Sequence, residues 1–305
     1  MLRRLGNVAR TAGGNRTSRQ RRRHSGGGSV RGSVGGSSSG GGGEGGEGGG
    51  SSSRAIVSAI AAAAHRRGLD LAVGLTLQDY NALVGPAMAL PELSRSSTLA
   101  VLVGSTRDIW TPFLRALRQS PTRGHLAREE EHGGPLNAYV VRATEELAAE
   151  AVPRGLGVSL HFAHETAPGR LVAMQRLAHL SGAAYFHAGC GLNVHPTFGP
   201  WHAYRSLVVV AADGVETAGP PPNPSSSEAV AAAEAALQTA LAATIDPTAT
   251  NTREELVGRY REAWRLWQRV RQCVSTPEYD AWKYPDAFDE YHFSHSPALL
   301  KRLVG

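Results

Sequence analysis

Cysteine is nearly missing from this sequence: among 305 residues only Cys190 and Cys273 carry a thiol, far apart and without a CxxC pair. That excludes a disulfide framework and a thiolate zinc site, and it fits a reducing compartment. Cys190, between two glycines, reads as a small filler before it reads as a nucleophile. No apolar run is long enough to span a bilayer and no secretory apolar core follows the N-terminus, so a membrane is not expected among the partners. No glycine-rich phosphate loop follows the first strand-like segment, which argues against a nucleotide-binding doubly wound fold.

Positive charge is also scarce outside one region. Residues 1–53 hold nine arginines, no lysine and only Glu44 and Glu47, so they carry +7 of a formal total of +6 and leave the remainder near −1. The basic pI belongs to that tail. A nucleic-acid partner for the folded part is not expected, because no excess of cations remains there to neutralise phosphates. The opening of the tail is rich in Arg and poor in acids, the composition of a mitochondrial or chloroplast presequence; a disordered, weakly electrostatic arm is the plainer alternative. The Gly/Ser run that follows has nothing apolar to bury and reads as a linker. The location expected is cytoplasmic, or an organelle if the tail is a targeting segment. Residues 54–305 are expected to form the folded domain.

Within that domain the periodicity predicts a helix from residue 54 closed by Gly68, a strand over 69–77 and a loop from 78 through the proline-containing stretch that follows. A buried strand is expected over 98–103, then a short helix over 109–117 with Trp110, Phe113, Leu114 and Leu117 on one face. A charged loop over 123–134 precedes a helix over 137–151 with Tyr139, Val140, Ala143, Leu147 and Ala148 inward. Strands follow around 157–163, 183–187 and 206–212, with a helix over 171–180 between the first two. Residues 214–227 are a proline-rich connection. Helices over 228–244 and 252–274 come next, the second continuous and amphipathic with Trp264, Trp267 and Val270 on neighbouring turns. A short helix opening at Pro297 ends the chain. The mixture favours an α+β sheet with helices packed on it.

The chemistry concentrates in residues 171–205. His161 and His164, with His179 beyond, raise the question of a metal. On a strand the first two face opposite sides, however, and no carboxylate stands at a third ligand spacing, so polar pocket or surface histidines are the expectation. Val172, Gln175 and His179 share a helical face that serves either as a core stripe with a polar rim or as the wall of a broad ligand site. His195-Pro196-Thr197-Phe198-Gly199-Pro200-Trp201 is a turn whose path is fixed by two prolines and a glycine. It reads as a ligand-site turn or as a structural corner. Arg205 then enters an apolar strand, where a guanidinium needs a carboxylate from the protein or from a ligand.

At AHLSGAAYFH and VHPTFGPWHAYRSLVVV the chain resembles the cobalamin trafficking and processing proteins of the cblC type, cyanocobalamin reductases and alkylcobalamin dealkylases. DYNALV, TLAVLVGST, WRLW and HFSHSPALLKRLVG support the likeness, which extends patchily over 54–305. The resemblance implies a flavin-nitroreductase-like α+β fold with a small cap, holding cobalamin in its base-off form. It implies reductive decyanation with reduced FMN or FAD, and transfer of the cobalt-bound alkyl group to glutathione. By motif position the cobalamin contacts fall on His161, Val172, Ala173, Met174, Gln175, Phe186, His187, Ala188, Asn193 and Tyr204. His161 replaces an acid of the family and Asn193 a cysteine. Arg205 takes the place of the family's glutathione-anchoring arginine. Two further family arginines have no clean counterpart, Arg269 or Arg271 standing near one and Lys301 or Arg302 near the other. A downstream trafficking protein and a flavin reductase are the partners implied, with the chain a monomer or a ligand-induced homodimer. Two alternatives stay open: a cobalamin chaperone without catalysis, and a flavin nitroreductase-like enzyme without cobalamin.

Overall fold

The computed structural model describes residues 48–94, 97–119, 133–245 and 252–304. The presequence reading of the tail, the linker reading up to residue 47 and most of the charged loop over 123–134 lie outside the described residues; the last six residues read as linker, 48–53, belong instead to the first helix.

Helix α1 (Gly48–His65) starts six residues earlier than the sequence pattern predicts, and Ser53 and Ile56 on its early turns are already buried. Gly68, at φ +70°, follows it in the left-handed region. Strand β1 (Leu71–Thr76) runs straight into α2 (Leu77–Leu83), where a loop was expected. The cause is tertiary. Tyr80 is fully buried with its hydroxyl donating to the Met88 carbonyl at 3.2 Å, and the Asn81 amide pairs with both backbone groups of Leu90 at 2.9 Å. Those contacts order a seven-residue helix too short to stand alone.

Strand β2 (Leu99–Ser105) is buried along its whole length, as its apolar run requires. Helix α3 (Trp110–Gln119) sets Trp110 and Phe113 into the core, and α4 (Pro135–Ala151) buries Val140, Ala143, Leu147 and Ala148. Then come β3 (Val158–Phe162), α5 (Met174–Leu180), β4 (Tyr185–His187), the unexpected β5 (Leu192–Val194) and β6 (Ala203–Val210). Helix α5 begins three residues later than expected, because the Ala173 N–H donates to the Tyr80 hydroxyl at 3.0 Å and residues 171–173 stay outside the helix.

After the proline-rich connection, α6 (Ser227–Thr244) packs beside α7 (Arg253–Glu262) and α8 (Trp264–Cys273). The single helix predicted over 252–274 is therefore two, broken at Ala263 (φ −85°, ψ 13°). Both halves are tied to the end of α6: Arg259 Nε donates to the Thr244 carbonyl at 3.0 Å and the Trp267 indole to the Thr244 hydroxyl at 3.1 Å. A break of this kind leaves the apolar rhythm intact and is silent in the pattern. Helix α9 (Asp286–Ser294), not foreseen, and α10 (Pro297–Val304) complete the fold.

The main sheet has the order β1-β2-β6-β3 and is antiparallel throughout, with β4 and β5 as a separate hairpin. One face buries Ala100, Leu102, Leu207 and Val209 against α2 and α5; the other buries Leu99, Val101, Val103, Val208 and Val210 against α1, α4 and the C-terminal helices. This alternation of strand residues between two cores is what a sheet covered on both faces demands.

Candidate functional site

The site is built at the end of the sheet where β6 begins. Val103 pairs with Ser206 but Gly104 pairs with Tyr204, so Arg205 is an extra residue in β6, a β-bulge. It lies inside the strand, which starts at Ala203 and not at 206. Because of the bulge, Arg205 shares the side of Ser206, where plain alternation would have put Tyr204, and Tyr204 takes the side of Leu207. Tyr204 packs on the α5 face. Arg205 Nε donates to the Ser105 hydroxyl at 3.0 Å, on the face where Ser206 meets Thr144 of α4 at 3.0 Å.

On the α5 face, His161 of β3 sits opposite Leu207, buried, its Nε2 in a 3.1 Å hydrogen bond with the Ser159 hydroxyl. Asn193 Nδ2 donates to the Gln175 carbonyl at 3.1 Å, which ties the hairpin to the first turn of α5. Phe186 pairs with Asn193 across the hairpin and shares its side, and its N–H donates to His179 Nδ1 at 3.3 Å. Val172 and Met174 are core residues, with Ala173 packed against them. His187 is not brought to this group. It pairs with Leu192 on the other side of the hairpin, stacks near Tyr185 at 4.8 Å and faces the charge of Glu234 on α6. Ala188 is exposed at the hairpin turn.

Several buried polar atoms in this region have no hydrogen-bond partner: His161 Nδ1, Asn193 Oδ1 and the Tyr204 hydroxyl on the α5 side, Arg205 Nη2, Arg271 Nη1, Asp289 Oδ1 and the Tyr284 hydroxyl on the other, and His187 Nε2 at the hairpin. Buried polar atoms are paired almost without exception, so these orphans call for water, an ion or a ligand. Burial lowers the His161 imidazole pKa and raises that of the Tyr204 phenol, so both stay uncharged.

Around Arg205 the charges are of one sign. Arg271 of α8 lies near enough to lower the Arg205 pKa, after the larger effect of burial, and no ion pair reaches either guanidinium among the described residues. Arg271 Nη2 touches the His202 carbonyl at 3.4 Å, and its guanidinium lies over the rings of Tyr284 and Phe293 at 5.5 and 5.3 Å. His202 is pushed down to about 3 and His292 well below the ordinary imidazole value, first by burial and then by neighbouring cations. Asp289 is the acid in reach, but one of its oxygens is engaged by Gln268 and burial raises its pKa. Sequence reasoning named Arg271 only as an alternative to Arg269, which is exposed, and missed Asp289 and His292 altogether. The spacing of Tyr284, Phe288, Tyr291 and His292 was the signal, i, i+4, i+7 and i+8 behind Pro285.

The His195–Trp201 turn is a corner that holds this arrangement in place. His195 and Gly199 exchange backbone hydrogen bonds of 2.9 Å, His195 Nδ1 accepts from the Thr197 and Phe198 N–H groups, and Trp201 Nε1 donates to Ser275 at 2.8 Å. Tyr279 packs directly on Gly199 and Trp282 stands edge-on to Phe198 at 4.4 Å. The anchors Phe198 and Trp201 thus clamp the C-terminal segment. A separate open cavity of about 300 Å³ at the α7–α8 break, walled by Arg261, Trp264, Glu290 and Ser294, contains none of the orphaned atoms. No group of three metal-ligating side chains occurs among the described residues.

The bovine cyanocobalamin reductase / alkylcobalamin dealkylase is 28% identical over 242 residues, 74% of this chain and 73% of that protein. The human protein of the same name is 30% identical over 158 residues, which span 47% of this chain and about half, 52%, of the human one. This chain is similar to the cblC-type proteins. The likeness extends to the fold: the crystal structure of a C. elegans B12-trafficking protein CblC, a human MMACHC homologue, superposes with a TM-score of 0.58 at 18% identity, over 83% of this chain and 97% of that one. The shared architecture is an antiparallel sheet with packed helices. No family model matches the chain, and no helix among the described residues is long and apolar enough to cross a membrane.

Proposed function

We propose that this protein processes cobalamin: it binds the base-off form and removes the upper ligand, by reductive decyanation of cyanocobalamin and by glutathione-dependent dealkylation of alkylcobalamins. The observation that carries the reading is the set of orphaned buried polar atoms, which falls on residues where the cblC resemblance locates ligand contacts. His161 Nδ1, Asn193 Oδ1 and the Tyr204 hydroxyl suit the amide rim of a corrin, with Val172, Ala173, Met174, Gln175 and Phe186 as the apolar and backbone wall beside them. His187 and Ala188, on the far side and at the turn of the hairpin, would serve only if the hairpin shifts.

The co-substrate belongs to the other side of β6. Arg205 and Arg271 present orphaned N–H groups and close no ion pair among the described residues, Asp289 being the one acid near Arg271, and a buried guanidinium pair in that condition suits an anionic ligand. Holding a glutathione carboxylate there would fix the thiol near the cobalt-bound carbon, and the two cations favour thiolate over thiol. In dealkylation the thiolate sulfur forms a bond to that carbon while the cobalt–carbon bond breaks, its electron pair staying on cobalt. A reduced flavin supplies the electrons for decyanation. A flavin-nitroreductase-like ancestry of the sheet, residues 54–305 as the processing domain, delivery to a downstream trafficking protein and supply by a flavin reductase belong to the same proposal.

Anaerobic incubation with methylcobalamin and glutathione tests it; cob(I)alamin absorbance should grow in. A second reading, a chaperone that binds and passes on cobalamin without dealkylation, is favoured by the exposure of Lys301 and Arg302, which leaves the third family arginine without a buried counterpart. Spectral binding of cobalamin without any cob(I)alamin would select it.

A further inference from the structure

The unpaired polar atoms on the two sides of β6 differ in charge. On the α5 side they belong to an imidazole, a carboxamide and a phenol: His161, Asn193 and Tyr204. The ion pair beside β3 is already closed on itself. Arg170 Nη2 binds Glu165 at 2.6 Å and the Leu160 carbonyl at 2.7 Å, and the second Glu165 oxygen accepts from the Phe162 N–H at 2.8 Å. The unsatisfied cations, Arg205 and Arg271, lie across the sheet, because the bulge gives Arg205 the side of Ser206.

We propose that the α5 side selects corrinoids by the charge of their rim, accepting a macrocycle edged with carboxamides and rejecting one edged with carboxylates. This rests on the cobalamin reading above. A carboxamide offers both donor and acceptor to the uncharged groups waiting there. A carboxylate gives up its hydration and finds no cation among the buried unpaired groups, so it is excluded by desolvation and not by size. Amide-rimmed and acid-rimmed corrinoids are close in volume, and shape alone would pass both. The division also keeps the anionic co-substrate on its own side, since only there do unpaired guanidinium groups await it.

The test is an absorbance titration of the full chain at pH 7.5 with three ligands: cobalamin, cobinamide, whose rim is carboxamide, and cobyrinic acid, whose rim is carboxylate. Cobyrinic acid should bind at least about a hundredfold more weakly than cobinamide. Comparable affinities for the two would overturn the charge rule while leaving cobalamin binding intact; no binding of any of the three would overturn both. The Tyr204→Phe variant, which loses one orphaned hydroxyl and little volume, gives a second measurement. It should weaken cobinamide about three- to tenfold and leave cobyrinic acid unchanged. An equal loss for both ligands, or none for either, would contradict the assignment.

Discussion

Arg205 carries much of the proposed chemistry, and its environment says what its loss should do. Its guanidinium is held by one neutral hydrogen bond from Nε to Ser105 and is otherwise unpaired at Nη2. Charge-assisted hydrogen bonds to a ligand are worth about 1.5–3 kcal/mol, so Arg205→Ala should slow glutathione-dependent dealkylation about ten- to a hundredfold. Cobalamin affinity should change less, since Tyr204 and not Arg205 faces that side; paired kinetic and binding assays compare the two, and equal losses in a folded variant would remove the assigned role. Gly199 is a second position with a defined cost. Its φ is +56° and a Cβ there would stand 2.3 Å from a Tyr279 ring carbon. Gly199→Ala should destabilise by about 2 kcal/mol or more, read as a lower urea midpoint, because backbone strain and the displaced ring act together.

At the scale of elements, α6, α7 and α8 form a unit whose joints are identifiable. Thr252 and Glu255 make a capping box at the start of α7, with hydrogen bonds of 3.2 and 2.9 Å. Thr252→Ala should cost about 1 kcal/mol. Thr244→Val should cost more, about 1–3 kcal/mol, because it leaves the buried Trp267 indole without its acceptor. Chemical denaturation of both variants would order them, and the reverse order would mean that α7 is held by its cap and not by its seat on α6. Legibility follows the same division. Strand β2, helix α4 and helix α6 stand close to where their patterns predicted, since each buries an uninterrupted stripe. Helices α2 and α9 and the break at Ala263 depend on partners distant in sequence, such as Ala173, Trp110 and Thr244, and no local window contains them.

At the scale of the whole molecule the buried histidines set the response to acid. Burial pushes His202 down to about 3 and His195 to about 4, against 6.5 for an exposed imidazole. Between those values and 6.5 the unfolded chain binds more protons than the folded one. Their contribution is therefore fully present above pH 6.5 and drains away as pH falls toward 4 and then 3. For His202 the slope should be about 1.4 kcal/mol per pH unit in that window. Stability measured by urea unfolding should be flat between pH 7 and 8 and drop steeply from 6 to 5. In His202→Gln the drop should be shallower by about one proton; an unchanged slope would place the acid response elsewhere.

The candidate site was legible as a list before it was legible as a place. Composition, motif and the family resemblance separated the basic tail from a near-neutral domain, gathered the candidate ligand residues in 161–205 and marked Arg205 as a cation in need of an anion. They did so because residue type and short spacing are local properties, present in the chain before it folds. Which residues share a side was decided by the tertiary structure. One extra residue in β6 decides which face Tyr204 and Arg205 each take, strand alternation separates His187 from Phe186, and the packing of α8 brings Arg271, not Arg269, beside Arg205. Register, bulges and helix docking are set by the free energy of the assembled core, and no single segment encodes them.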